Sequence, residues 1–434
     1  MIEIIGKNDT SRREQRLKDL LARGVSLDSE LLAKVREILD DVRERGDAAL
    51  IDYTARFDGV ELKPEELRVS GETLEQSAAQ VDPKLLQALR RAIRNVRNFH
   101  ERQLEASWEM TPTPGILLGQ RVTPLENVGL YIPGGTAAYP SSVVMNVVPA
   151  QVAGVRRIVV TTPPQTLKDN PAVAAALKEL GVDEVYRVGG AQAIAALAFG
   201  TNTIRPVDKI TGPGNRFVAA AKKLVFGVVG IDSIAGPTEV VIVADESARP
   251  EFIAADLLAQ AEHGIDAAAL LITTSLSLAE AVVMELGWQI RSLARADIIR
   301  LSIEKCGMVL ITSSIDEACQ LVNRIAPEHV QIMTNEADED AKKIRHAGAI
   351  FVGSQTPGAI GDYFAGPNHV LPTAGSARFS SALDVRDFLK RTSLLKYSAD
   401  ALRDAAEYVA VLAAAEGLDA HAQSALIRLN HRQS

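Results

Sequence analysis

Cysteine is almost absent from this 434-residue chain: Cys306 and Cys319 are the whole supply. That excludes a disulfide framework and points to a reducing compartment. Aromatic residues make up only 4%, so the core has to be built from Ala, Val, Ile and Leu, the material of alternating helices and buried strands. Positive charge is not in excess either. With 47 Lys and Arg against 55 Asp and Glu, the net charge is −8, which argues against nucleic acid as a partner, because neutralising phosphates needs a basic face. No apolar run reaches the roughly 18 residues of a membrane helix, and the opening residues 1–8 have no signal-peptide layout. The dinucleotide fingerprint Gly-x-Gly-x-x-Gly is missing as well. A soluble, cytoplasmic protein with no nucleic-acid or membrane partner is expected.

A chain of this length needs more than one core. Residues 1–115 read as a helical, charged region, with apolar residues at helical spacing in 31–39 and 85–99. Little there carries chemistry, and His100 reads as a helix-surface residue. From 116 to 236 short apolar strands alternate with helices, and the pattern restarts over 237–380. Near-continuous apolar strands between helices indicate parallel sheets covered on both faces. The expected fold is α/β, with two tandem doubly wound, incomplete Rossmann-like parallel-sheet domains. A helical region precedes them and a helical tail, 381–434, follows. In the tail two helices meet at Gly417, with Asp419 placed as N-cap. The tail has no core of its own and is expected to cover another surface, such as that of a second subunit.

Chemistry concentrates at element boundaries. Gln260 and His263 lie three apart near the end of an apolar helix that Gly264 stops, so both side chains leave one helical face. Such a pair is either a hydrogen-bonded helix end or part of a ligand set. Glu328 and His329 follow Pro327 at a strand start. They are either structural or the general bases of a two-step reaction, the imidazole having an ordinary pKa near 6.5. Asp362, between Gly361 and Tyr363, is a candidate oxygen ligand, with His369 seven residues on. Glu416 opposes the dipole of the helix it ends, and His421 stands in the first turn of the next helix, where the field favours the neutral imidazole that binds metals. A solvated helix corner is the alternative. Three Gly-rich strand-to-helix turns, Tyr131 to Gly135, Gly189 to Gln192 and Gly212 to Asn215, fall where open α/β sheets bind ligands. Together they favour a phosphate-bearing ligand.

Six long motifs carry a resemblance over nearly the whole chain: 128–135 (VGLYIPGG), 189–197 (GGAQAIAAL), 212–215 (GPGN), 260–264 (QAEHG), 327–329 (PEH) and 366–373 (GPNHVLPT). The sequence resembles the histidinol dehydrogenases. The resemblance implies a homodimeric oxidoreductase that takes L-histidinol to L-histidinaldehyde and then to L-histidine, with one zinc per subunit and NAD used twice. By motif position Gln260, His263, Asp362 and His421 would hold the zinc, His421 coming from the partner subunit's tail. Glu328 and His329 would be the bases, Tyr131, Gln192 and Asn215 would contact NAD, and Thr238 and Glu416 would contact substrate alongside Gln260, His263, His329, Asp362 and His421. Departures are few. Thr238 stands where the family has Ser and keeps the hydroxyl. Phe217 stands where Tyr is common, and Ala365 replaces the usual small polar residue or Gly. The alternative kept open is a related zinc- and NAD-dependent dehydrogenase of another small alcohol, such as a sulfonated diol.

Overall fold

Segments such as Glu239–Ala244 and Ala268–Thr273 are buried at every position, as strands covered on both faces have to be. The structure, a computed structural model, describes residues 2–24, 27–134 and 139–429. In chain order the strands are β1 (Glu3–Ile5), β2 (Trp108–Met110), β3 (Ile116–Pro124), β4 (Asn127–Tyr131), β5 (Arg157–Thr161), β6 (Glu184–Tyr186) and β7 (Lys209–Thr211). They continue with β8 (Gly230–Ile231), β9 (Glu239–Ala244), β10 (Ala268–Thr273), β11 (Met308–Ile311), β12 (His329–Met333), β13 (Ala349–Val352) and β14 (Leu389–Tyr397). The chain forms two units, residues 1–103 with 125–388, and residues 104–124 with 389–434.

The first unit holds two parallel sheets, ordered β6-β5-β4-β7-β8 and β1-β11-β10-β9-β12-β13. Apart from β1 the two orders are the same. The first strand lies in the middle, the next two step out on one side, and the last two on the other. Each sheet therefore reverses direction once, between β4 and β7 and between β9 and β12, which is where doubly wound sheets open a crevice. The two tandem α/β units expected from the sequence are present.

Two details differ from the sequence reading. The amino-terminal region is not wholly helical, because Glu3, Ile4 and Ile5 register with Met308, Val309 and Leu310 at the edge of the second sheet. A three-residue strand is too short to show periodicity. His100 is not on a helix surface either. It is fully buried, with Nδ1 2.8 Å from the Val96 carbonyl oxygen, and burial lowers its pKa. The amino-terminal helices build no separate core. Leu31, Val35, Leu39 and Leu50 join the core around the almost wholly buried helix Gly190–Phe199, and Leu17 and Leu20 join that of the second sheet.

In the second unit β2, β3 and β14 make an antiparallel sheet, with β3 and β14 paired from Leu389↔Pro124 to Tyr397↔Ile116. This corrects the reading of 381–434 as helical throughout. Most residues of β14 are exposed, so burial imposes no alternation, and the partner strand is distant in sequence. Helices Ala399–Ala415 and Asp419–Leu426 follow, with Leu418, not Asp419, at the N-cap and no side-chain capping bond. Buried apolar residues described here are alanines 401, 406, 413 and 425, whereas Tyr408, Val411 and Leu412 are 64–74% exposed. Among the described residues no helix is long and apolar enough to cross a membrane.

The reversal point of the first sheet is tightly built. Gly212 has φ +113°, and a Cβ there would lie 2.1 Å from the Tyr131 carbonyl oxygen. Gly212→Ala should therefore destabilise the protein by roughly 3 kcal/mol or more, read as a lower urea midpoint at unchanged slope. A parental midpoint would contradict so close an approach of β4 and β7.

Candidate active site

A cavity of about 340 Å³ lies in the first unit. On one side it is lined by residues following the carboxyl ends of β4, β7 and β8: Pro133 and Gly134, Gly212 to Gly214, and Asp232. On the other side stand residues at the amino ends of β9 and β12, Thr238, Glu328 and His329. His263, Asp362, Tyr363 and His369 complete the chemically active part of the wall. Of the three Gly-rich turns, the first, through Pro133 and Gly134, and the third, through Gly212 to Gly214, line this cavity; Gly135 lies outside the described residues.

One hydrogen-bonded line crosses the amino ends of the second sheet. The Gln260 amide nitrogen donates to the Thr238 hydroxyl at 2.7 Å, and that hydroxyl donates to Glu328 Oε2 at 2.5 Å. The Glu239 N–H also donates to Glu328 Oε2, at 3.1 Å. The extra methyl of Thr238 thus leaves the hydroxyl's bonds intact. His329 has Nδ1 3.3 Å from the Glu239 carbonyl oxygen and 3.6 Å from Glu328 Oε2. Its Nε2 is buried, lacks a hydrogen-bond partner among the described residues, and lies 3.6 Å from Asp362 Oδ1. That distance is too long for a hydrogen bond but close enough for strong charge attraction.

The electrostatics follow from this crowding. Burial pulls the His329 pKa down, but the charge of Glu328 and then that of Asp362 outweigh it and push it up to about 9. Burial works against the ionised form of Asp362, yet His329, with smaller help from His369 and His263, holds its pKa below the ordinary value. His369 is driven down to about 4 by burial and remains neutral despite Asp362. Glu239, which the sequence reading passed over as the first residue of an apolar strand, is pushed up to about 7 by burial and then by Glu328. Lys222 and Asp232, also missed, form a buried ion pair. Asp232 accepts the Gly212 N–H at 2.8 Å and Lys222 donates to the Gly212 carbonyl at 3.1 Å, so both ends of that residue are pinned.

Of the residues singled out from the sequence, Gln260, His263, Asp362, Thr238, Glu328 and His329 converge here. His263 is exposed just beyond its helix, with Nδ1 3.1 Å from the Ala259 carbonyl. A proton donated there leaves Nε2 as the lone-pair end. Among the described residues no group of three or more His, Cys, Asp or Glu side chains is gathered to hold a metal; the amide of Gln260 is a donor outside those types. Glu416 and His421 belong to the second unit, where both are exposed at the corner between its helices. Tyr131 is buried at the end of β4, its hydroxyl accepting the Gly190 N–H at 3.2 Å. Gln192 is buried in the first turns of helix Gly190–Phe199. Asn215 caps helix Arg216–Val225 through the N–H groups of Phe217 and Val218.

A carboxylate and an imidazole side by side, backed by further carboxylates and imidazoles at the mouths of two parallel sheets, define an α/β enzyme built for proton transfer. The family model for histidinol dehydrogenase matches residues 21–429. Histidinol dehydrogenase of Geobacillus kaustophilus is 54% identical over 396 residues, 91% of this chain and 93% of that one. The Bacillus subtilis histidinol dehydrogenase is 52% identical over 90% of this chain and 91% of its own. The crystal structure of histidinol dehydrogenase from Elizabethkingia anophelis superposes with a TM-score of 0.92 at 35% identity, covering 99% of this chain and 98% of that one. The chain belongs to the histidinol dehydrogenase family.

Beneath the site, Asp256 stands one turn before Gln260 on the same helical stripe. It accepts a hydrogen bond from Gln331 Nε2 at 3.0 Å, and the Gln331 Oε1 is buried and unpartnered among the described residues. Burial pushes the Asp256 carboxyl up to about 6, against the pull of that bond. A folded-state pKa above the unfolded value of about 3.9 means the native state keeps the proton longer. The stability this confers is complete below pH 4 and is lost as pH rises through about 6, by up to roughly 3 kcal/mol before solvent screening reduces it. Asp256→Asn should remove that slope and leave the protein more stable than its parent at pH 7 in urea titrations. Parallel stability–pH curves for the two proteins would refute this.

Proposed function

We propose that the protein is a homodimeric, zinc-dependent NAD oxidoreductase that converts L-histidinol to L-histidinaldehyde and then to L-histidine, the last steps of histidine biosynthesis. The observation that carries this is the line Gln260–Thr238–Glu328 ending beside His329, in a member of this family. The donors suit zinc: an amide oxygen, an imidazole nitrogen already oriented by a backbone carbonyl, and a carboxylate. Gln260, His263 and Asp362 would hold the ion, with His421 from a second subunit as the remaining ligand. Tyr131, Gln192 and Asn215 would contact NAD, two of them at helix amino ends that favour its pyrophosphate. When bound, zinc supplies an anchor for the imidazole and amine of histidinol, and NAD supplies the hydride acceptor.

The protein's own residues then move protons. In its neutral form, which the raised pKa makes prevalent only at alkaline pH, His329 takes the alcohol proton at its unpartnered Nε2 as hydride leaves the same carbon. The imidazolium formed sits between Glu328 and Asp362, whose charges stabilise it. Glu328, held at Oε2 by Thr238 and Glu239, removes a proton from the water that adds to the aldehyde. His329 again accepts a proton as the hydrate loses hydride and becomes the acid. Thr238 and Glu416 bind substrate. The exposed apolar side chains of the second unit, Tyr408, Val411 and Leu412, support burial against a second copy, which would bring Glu416 and His421 into use.

The primary test is formation of reduced cofactor from histidinol and NAD, and its loss with chelator. Glu328→Gln should spare oxidation of the alcohol and slow that of the aldehyde by about 10²–10⁴-fold, assayed by feeding each separately. Equal loss on both would count against this division of labour. Mixing inactive His421→Asn with inactive His263→Asn subunits should restore part of the activity. If subunits demonstrably exchange and nothing returns, the tail serves its own chain.

A further inference from the structure

Asp58 ends the helix Asp47–Asp58, directly before the left-handed Gly59. Every local force opposes a carboxylate there. The helix carboxyl end carries partial negative charge. Oδ2 is buried and has no hydrogen-bond partner among the described residues. Burial raises the carboxyl's pKa. A half-buried acid with one oxygen shut off from water and unpartnered costs stability, so its presence calls for a ligand.

The surroundings say which kind. The helix of Asp58 rests on helix Gly190–Phe199, and its charge reaches the Tyr131 phenol, which in turn holds the Gly190 N–H. Gln192, only 1% exposed, has a second unpartnered oxygen, Oε1, among the described residues. That atom would lie 2.6 Å from a Cβ placed on Gly190. One buried acceptor in want of a donor thus stands against the Gly190 turn at the carboxyl ends of the first sheet, and a second, on Asp58, acts on the Tyr131 phenol bonded to that turn. Just beyond Asp58, Val60 and Leu62 begin the wall of a cavity of about 580 Å³ that continues to Lys168 and Arg187, past the ends of β5 and β6. It offers apolar surface to a base.

Acceptors without donors fit a vicinal diol, and a carboxylate is the group that reads a ribose diol in dinucleotide sites. We propose that Asp58 is a specificity-determining residue that accepts hydrogen bonds from the adenosine ribose hydroxyls of NAD and repels the 2′-phosphate of NADP. The adenine lies along Val60 and Leu62, and the pyrophosphate at the helix amino end by Gly190. This rests on the reading of Tyr131 and Gln192 as cofactor contacts.

The experiment compares zinc-loaded parent and Asp58→Asn enzymes for KM and kcat with NAD and with NADP, and follows urea unfolding of both without cofactor. The parent should favour NAD. Asp58→Asn should raise KM for NAD about tenfold or more, the scale of a lost charged hydrogen bond, with the change falling on KM and not on kcat. The NAD-over-NADP ratio should shrink, and the variant's urea midpoint should rise because a strained acid has gone. An unchanged KM and ratio would overturn the assignment, and so would a lowered midpoint or failure to fold, either of which makes Asp58 structural. A parent that reduces neither dinucleotide would instead defeat the cofactor reading beneath it.

Discussion

The carboxylate of Glu328 is tied to the sheet that carries it. Two donors from the neighbouring strand segment, the Thr238 hydroxyl and the Glu239 N–H, hold one of its oxygens. The pairing that aligns them is His329 with Val240 in the β9–β12 ladder. A slip of one residue would turn Glu328 and His329 to opposite faces and separate both from the cavity. The geometry of the acid–base couple is thus set by strand register, and through Gln260 it extends into the neighbouring helix.

The site also departs from the simplest rule for doubly wound folds. The first sheet contributes residues beyond its carboxyl ends, as such sheets do, whereas the second contributes its amino ends. Backbone N–H groups are the free donors at the start of a strand, and Glu328 uses one. The first sheet's side is stiffened by a different device, the Lys222–Asp232 ion pair closed around Gly212. Removing either partner would leave a buried charge exposed to nothing that balances it, a cost of several kcal/mol.

Much of this was legible in the sequence because it depends on short-range pattern. Continuous apolar strands gave the two parallel sheets, and the three-residue spacing of Gln260 and His263 gave their shared face. What escaped depends on partners distant along the chain. Glu239 looks like the edge of an apolar run until Glu328 is folded beside it, and nothing local distinguishes Lys222 or Asp232 from surface charges. His100 appears exposed until Asn368 and its neighbours close over it. β14 has neither a buried face nor a nearby partner to impose alternation.

The strand β1 has a consequence for how the protein is made. It leaves the ribosome about 300 residues ahead of the strand it pairs with, β11, which begins at Met308. At roughly 5–20 residues per second the wait is on the order of 15–60 s. During that time Ile4 and Ile5 are an unsatisfied hydrophobic edge on a nascent chain, a natural target for a holding chaperone. The second sheet can close only after β13, which ends at Val352, has been synthesised.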